Sequence, residues 1–411
     1  MVLPGSFVSF FSDNFSVLRP PARRRMACLT VTSVAFVLFA GGFDFMLPLW
    51  VTGDLQLSAA DFAHLRSLRF VGVSVGVIVM GVLSDRFGQR RVGVWSLVAL
   101  AALVLPLGWA GVEYLYVAMP LLGAAVSTVF VNLNTLVQQV SSRRQGLANS
   151  IYRGSGAGAM VVVPLLAASL AAAIGGYSGV MPWLTVAALS AAVALWLHPE
   201  AEEAPPYQGV RQEVGRVVRS FLSPLRERRL MGFWIVALLW GNAMAAVGAF
   251  GAIRLTRVLG MTDVEFGQAM TAGGMVVFAV TLATGFLMDR LSLRWLHVVL
   301  GLLSAGCSVA MGLTDSIALT VSAMIVTGLC GTVLVGPSSM WISREAGRAS
   351  QSSVFFVHKI VSAVVFSSAM FLLAYLEPLL DMKPLLLWSG VLAAAFALAF
   401  LALPEPSKPR L

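Results

Sequence analysis

Six ionisable side chains lie where they are costly, inside runs of otherwise apolar residues. Asp44 stands in GGFDFMLPLW, Arg66 and Arg69 in HLRSLRFVGV, Arg153 in NSIYRGSGAG, and His358 and Lys359 in FFVHKIVS. An ionisable group in hydrocarbon marks a solute or proton path and pairs with a partner of opposite charge. Asp44 is the one carboxylate well inside such a run. It precedes Trp50 by six residues, about 9 Å along a helix, while Arg66 and Arg69 follow Asp61 by about 7 and 12 Å. In sequential antiparallel helices these depths agree, so an Asp44–Arg69 or Asp44–Arg66 ion pair is expected. A carboxylate so placed can hold a proton or an arginine, which is the chemistry of a proton carrier. Arg153, His358 and Lys359 add positive charge, and a surplus of it favours an anionic ligand. The structural alternative for Arg153 and Arg66 is that each reaches a membrane surface along its own aliphatic stem. Asn132, Trp240 and Asn242 are the uncharged candidates for the same site.

The elements that position these residues follow from composition. Of 411 residues, 58% are hydrophobic and 11% charged, against about a quarter charged in soluble domains. Apolar runs near 27–50, 61–83, 91–110, 114–137, 148–171 and 177–198, then 230–252, 265–287, 295–313, 317–340, 352–375 and 384–403, match the roughly 20 residues a bilayer crossing needs. The expected class is an all-α membrane protein with about twelve transmembrane helices in two pseudo-symmetric six-helix bundles. Its parts would be a cytoplasmic segment 1–26, a bundle 27–198, a cytoplasmic linker 199–229, a bundle 230–403 and a tail 404–411.

Arginines alternate between the gaps. Arg23, Arg24, Arg25, Arg86, Arg90, Arg91, Arg143 and Arg144 fall on one side, with the central gap and the tail, while Arg254, Arg257 and Lys383 fall on the other. The richer side is expected to be cytoplasmic, with both termini inside, in a bacterial inner membrane. This placement removes nucleic acid as the reading of the net charge of +9, since no contiguous basic face is present. Cys28, Cys307 and Cys330 are isolated in apolar runs, and no clustered His, Cys or Met indicates a metal. No Walker loop or nucleophile elbow appears. The chain is therefore expected to be no enzyme and to need no cofactor, with the proton gradient as its driving force and the bilayer and a small solute as its partners, acting as a monomer. Within the linker, RQEVGRVVRSFLSPLRERR reads as a basic amphipathic stretch on the membrane surface or as a solvated connector.

The two halves repeat. LSAADF (57–62) leads to GVLSDRFGQRR (81–91), and MTDVEF (261–266) leads to GFLMDRLSLRW (285–295), at a constant separation of 204 residues. Ser58 with Asp61 and Thr262 with Glu265 have capping-box spacing, so helices 2 and 8 start at equivalent points. Duplicated bundles hold their site at the repeat interface near mid-membrane.

GVLSDRFGQRR resembles the loop signature of the major facilitator superfamily, G-x-L-x-D-R-x-G-R-K/R-K/R. The second copy keeps Asp289, Arg290 and Arg294 but has Ser292 in place of the second glycine. The resemblance covers the whole layout. It implies alternating access around a cavity lined mainly by helices 1, 4, 7 and 10, with Gly81, Asp85, Arg86, Gly88, Arg90, Asp289 and Arg290 forming the cytoplasmic gating loops and Asp85 the latch. The expectation is then a proton-coupled secondary transporter of a small organic anion, with Asp44 carrying the proton. A proton-driven drug or metabolite exporter is the alternative: DFMLP (44–48) resembles the D-x-x-L-P of some exporters, whereas Met119 replaces their helix 4 arginine and Val163 breaks their helix 5 G-x-x-x-G-P. A third class is a receptor or assembly factor built on the same fold.

Overall fold

A computed structural model describes residues 20–140, 145–199, 227–287 and 292–404. The described chain is helical: α1 (Pro20–Leu49), α2 (Ala59–Phe87), α3 (Gln89–Val104), α4 (Val112–Val140), α5 (Gln145–Ile174), α6 (Met181–Trp196), α7 (Arg228–Ile253), α8 (Asp263–Leu287) and α9 (Leu293–Leu313). A continuous helix, Ile317–Leu380, contains two spans, α10 (Ile317–Ile342) and α11 (Val357–Leu380), and α12 (Met382–Ala402) ends the bundle. The Phe233 ring lies 6.1 Å from that of Trp341 and 6.2 Å from that of His358. Those two partners are 17 positions apart, about 25 Å along a straight helix, so the segment between them is not straight. The end where α1 begins and α12 finishes is here termed the base, and the opposite end the crown.

Between 33% and 56% of the apolar window is buried in each of eleven spans, α8 not among them. One face of each span therefore packs on protein, and the rest is left for lipid, with Trp109, Trp183, Phe371 and Val31 among the exposed side chains. Without a hydrophobic drive between helices in lipid, close approach of small residues supplies the packing. Gly72 lies against the Pro120 carbonyl and Gly123 against the Arg69 carbonyl, so any side chain at either glycine would overlap the facing backbone. This reciprocal pair joins α2 to α4.

The internal repeat is visible in single hydrogen bonds. α1 ends in a π-helical turn, Trp50–Asp54, and α7 in another, Arg254–Val258. Leu55 N donates to Trp50 O and Leu57 N to Val51 O; 204 residues on, Leu259 N donates to Arg254 O and Met261 N to Leu255 O. Gln56 (φ 55°) and Gly260 (φ 77°) hold the same left-handed turn. Both capping boxes form: Asp61 N bonds to Ser58 Oγ at 3.0 Å and Ser58 N to Asp61 Oδ2 at 3.1 Å, and the Thr262–Glu265 pair does likewise. The repeats separate at the loop after helix 2. Gly88, at φ 87°, turns the chain from α2 into α3, whereas Ser292, at φ −69°, starts α9 by accepting from Trp295 N. The altered glycine of the second copy thus sits where a side-chain cap does the work of a positive φ.

Candidate functional site

The site is built on α1, α2 and α7. Arg69 Nη1 is paired with Asp44 Oδ1, and its guanidinium lies 5.4 Å from the Phe43 ring centroid. Arg69 is buried, while the Asp44 side chain is 45% exposed. Arg66, one turn from Arg69 on the same helix face, takes a different partner: its Nη1 donates to the Gly248 carbonyl of α7. That bond crosses from the first six helices to the last six, which places Asp44 and both arginines at the interface of the halves. Of the two pairings open from sequence, the structure forms the one with Arg69, because Arg66 is drawn off by a carbonyl of the other half.

Further contacts join the halves around this cluster. Ser67 and Ser367 exchange hydroxyl-to-carbonyl bonds of 2.9 and 3.0 Å. Phe70 stacks on Phe366 at 5.3 Å and Phe45 on Phe266 at 5.4 Å, and Leu165 N donates to Thr271 Oγ1. At the crown, Arg257 Nη2 donates at 3.0 Å to the Leu49 carbonyl, at the negative end of the α1 dipole. Its guanidinium fills the space beside Gly53, where a side chain would collide with it. Asp263 holds Arg257 at 3.6 Å, and the buried Tyr177 hydroxyl points towards Asp263 without a hydrogen bond of ordinary geometry. Asp54 Oδ2 accepts from Tyr177 N at 2.7 Å, fixing that ring. The crown is closed by these contacts. Sequence reasoning missed Gly53, Asp54, Tyr177, Arg257 and Asp263. The signal was present, because Gly53 and Arg257 are repeat equivalents.

Towards the base, Lys359 Nζ of α11 lies 4.9 Å from the Phe130 centroid of α4, again across the halves. Arg153 of α5 is near enough to repel it. Both side chains are exposed. His358 is half-buried beside Phe233, and its Nδ1 has no hydrogen-bond partner among the described residues. Lys359 and His358 both lie on the long helix Ile317–Leu380.

Two candidates lie elsewhere. Asn132 is 1% exposed inside the first bundle, facing Gly93 of α3. Trp240 packs on Phe396 at 5.0 Å in the second bundle. Polar or aromatic character alone does not say which face of a fully embedded helix meets the cavity. Asn242 is half-buried and donates to Leu238 O. In the loop signature, Arg90 donates to the carbonyls of His198, at 2.8 Å, and Trp196, at 3.3 Å, capping the end of α6 within its own half. Arg86 lies over the adjacent Phe87 ring. The surroundings of Gly81, the side chain of Asp85, and the whole of Asp289 and Arg290 lie outside the described residues.

These features define a polytopic helical membrane protein, duplicated about an interface that carries charge. The match of the Major Facilitator Superfamily model across residues 29–370 shows that the chain belongs to that superfamily of transporters. Solved structures share the fold. The nucleoside transporter NupG superposes with a TM-score of 0.74 at 14% identity, covering 93% of this chain and all of that one. A POT family transporter in complex with a thioalcohol-conjugated peptide gives 0.77 at 12% identity, covering 92% and 95%. A bacterial homologue of the human lysosomal transporter Spinster, inward-facing and unoccupied, gives 0.72 at 15% identity, covering 95% and 100%.

Proposed function

We propose that this chain is a proton-coupled secondary transporter that moves a small organic anion by alternating access, with Asp44 as the proton carrier. The observation that carries the reading is the Asp44–Arg69 pair beside the inter-half bond from Arg66 to Gly248. A substrate carboxylate or phosphate competes with Asp44 for Arg69, and a proton on Asp44 frees that arginine for substrate. Whatever displaces Arg66 from Gly248 also loosens the interface, which links occupancy to closure. Arg153 and Lys359 extend the positive path towards the base. The arginine distribution orients the base to the cytoplasm of a bacterial cell, with both termini inside. No cofactor takes part, and a single chain holds every group the cycle uses. The structural neighbours transport a nucleoside or bind a peptide conjugate, and cargo of that size suits an interface site.

The test uses proteoliposomes with a pH-sensitive dye and a panel of organic anions, cations and neutral solutes. Proton movement driven by one anion class, abolished in Asp44→Asn while anion exchange persists, is the expected result. Wild-type accumulation in Asp44→Asn, or response to neutral solutes only, overturns the proposal.

A further inference from the structure

The basic end of the central linker takes no part in the transport reading, yet its last two arginines line a notch. Arg228 and Arg229 open α7, Gly232 follows one turn later, Trp341 comes from the end of α10, and Leu403 and Pro404 follow the end of α12. Together they enclose about 220 Å³ at the base. The notch exists because Gly232 has no side chain, its open side being skirted by Leu403. Trp341 forms a rigid back wall, 1% exposed and held by the rings of Phe233 at 6.1 Å and Phe400 at 5.3 Å. Glu227, at the N-cap of α7, gives no side-chain cap, so the first amides of that helix stay open to a ligand, with the exposed Glu227 carboxylate opposing their positive potential. Exposed apolar side chains continue along both helices from the notch: Ile235 on α7, and Leu398 and Leu401 on α12.

The first half supplies an internal control. Its repeat equivalents of Arg228 and Arg229 are Arg24 and Arg25, so the arginine doublet is duplicated. The equivalent of Gly232 is Cys28, whose Sγ lies 3.8 Å from the Leu197 carbonyl. The first half thus carries a thiol where the second has no side chain, and the second-half site combines its arginines with a cleft, an indole wall and an apolar track.

We propose that this notch binds the headgroup of an anionic phospholipid, with the phosphodiester on Arg228 and Arg229, the glycerol against Trp341 and Leu403, and the acyl chains along α7 and α12. Basic pockets between membrane helices at the cytoplasmic surface recognise anionic headgroups in this way. Each basic residue near the surface contributes about fivefold in affinity, so removing two costs on the order of thirtyfold. The lipid ties α7, α10 and α12 together where the linker enters the second half.

The full chain, purified in a neutral detergent, is titrated with phosphatidylglycerol or phosphatidylcholine and read by native mass spectrometry and thermal unfolding. Saturation by one phosphatidylglycerol per chain, with a rise in Tm that phosphatidylcholine does not give, is expected. Arg228→Gln with Arg229→Gln should weaken retention about thirtyfold. Gly232→Cys, which copies the first half and keeps both arginines, should weaken it comparably, and Arg24→Gln with Arg25→Gln should leave it unchanged. Equal retention of phosphatidylcholine overturns the proposal, as does full retention in Gly232→Cys with its unliganded Tm intact. Inorganic phosphate matching the effect of the lipid would show a simple oxyanion site and refute the lipid assignment. Lipid retention is scored without transport, so failure of the transport reading leaves this test intact.

Discussion

The crowns of the two halves have one backbone and two chemistries. Both turn through a π-helical segment, a left-handed residue and a capping box at matched positions. In the first half the turn is held by single hydrogen bonds with no buried cation: Trp50 Nε1 donates to Ser178 Oγ at 3.1 Å, and the Asp54 carboxylate caps the turn that starts at Tyr177. In the second half the residue equivalent to Trp50 is Arg254, 1% exposed, whose Nη2 donates to Thr314 O at 2.6 Å and Asp315 Oδ1 at 3.1 Å. Lys383 joins Asp315 at 2.8 Å. Duplicated backbone geometry survives because it rests on main-chain bonds, while side chains diverge until one half offers a cleft and the other a charge that enters it.

The largest effect is expected at that contact. Gly53→Leu forces the Arg257 guanidinium off the Leu49 carbonyl and shifts the crown towards open by roughly 1–3 kcal/mol, as overpacking does. Spin labels at Leu55 and Leu259 should report a longer separation, and adding Arg257→Ala should restore the short one. A Gly53→Leu crown that stays closed would mean that Arg257 is incidental to the seal.

Next come the holding bonds. Arg254→Met should cost about 2 kcal/mol, since it removes a charged hydrogen bond but leaves Asp315 wetted. Trp50→Phe should cost about 1 kcal/mol for one neutral bond. Equal losses in thermal unfolding would erase the distinction between the two crowns. At the shared turn, Gln56→Gly should stabilise by about 0.5–1 kcal/mol, and Gly260→Ala should destabilise by about 1 kcal/mol.

The smallest effect is a pH dependence confined to the second crown. The hydrogen bond from Lys383, followed by the charges of Lys383 and Arg254, holds the Asp315 carboxyl below its ordinary value. A depressed carboxylate contributes stability above its unfolded value, near 3.9, and loses it as pH falls through the folded value. The difference in Tm between wild type and Lys383→Met should therefore be present at neutral pH and vanish in acid.

Much of this was legible in sequence. The apolar runs located the spans, and the separation of 204 residues located the repeat. Helix ends were less legible, because a π turn continues the hydrophobic run past the last α-helical residue. For the site, depth counting brought Asp44 level with two arginines but could not choose between them, since the choice depends on the Gly248 carbonyl from α7. Asn132 was misplaced for a related reason: in a helix packed on several sides, a lone amide can face a glycine of its own bundle as easily as a cavity.

Gly53 and Arg257 also bear on ancestry. On a true two-fold axis each residue meets its own copy. In a dimer of identical six-helix subunits, two glycines would leave a hole at this position and two arginines would repel one another. A complementary pair on the axis needs two copies free to mutate separately. The closure of the crown by Arg257 therefore requires two copies that differ, and a homodimer of either half could not close in this way.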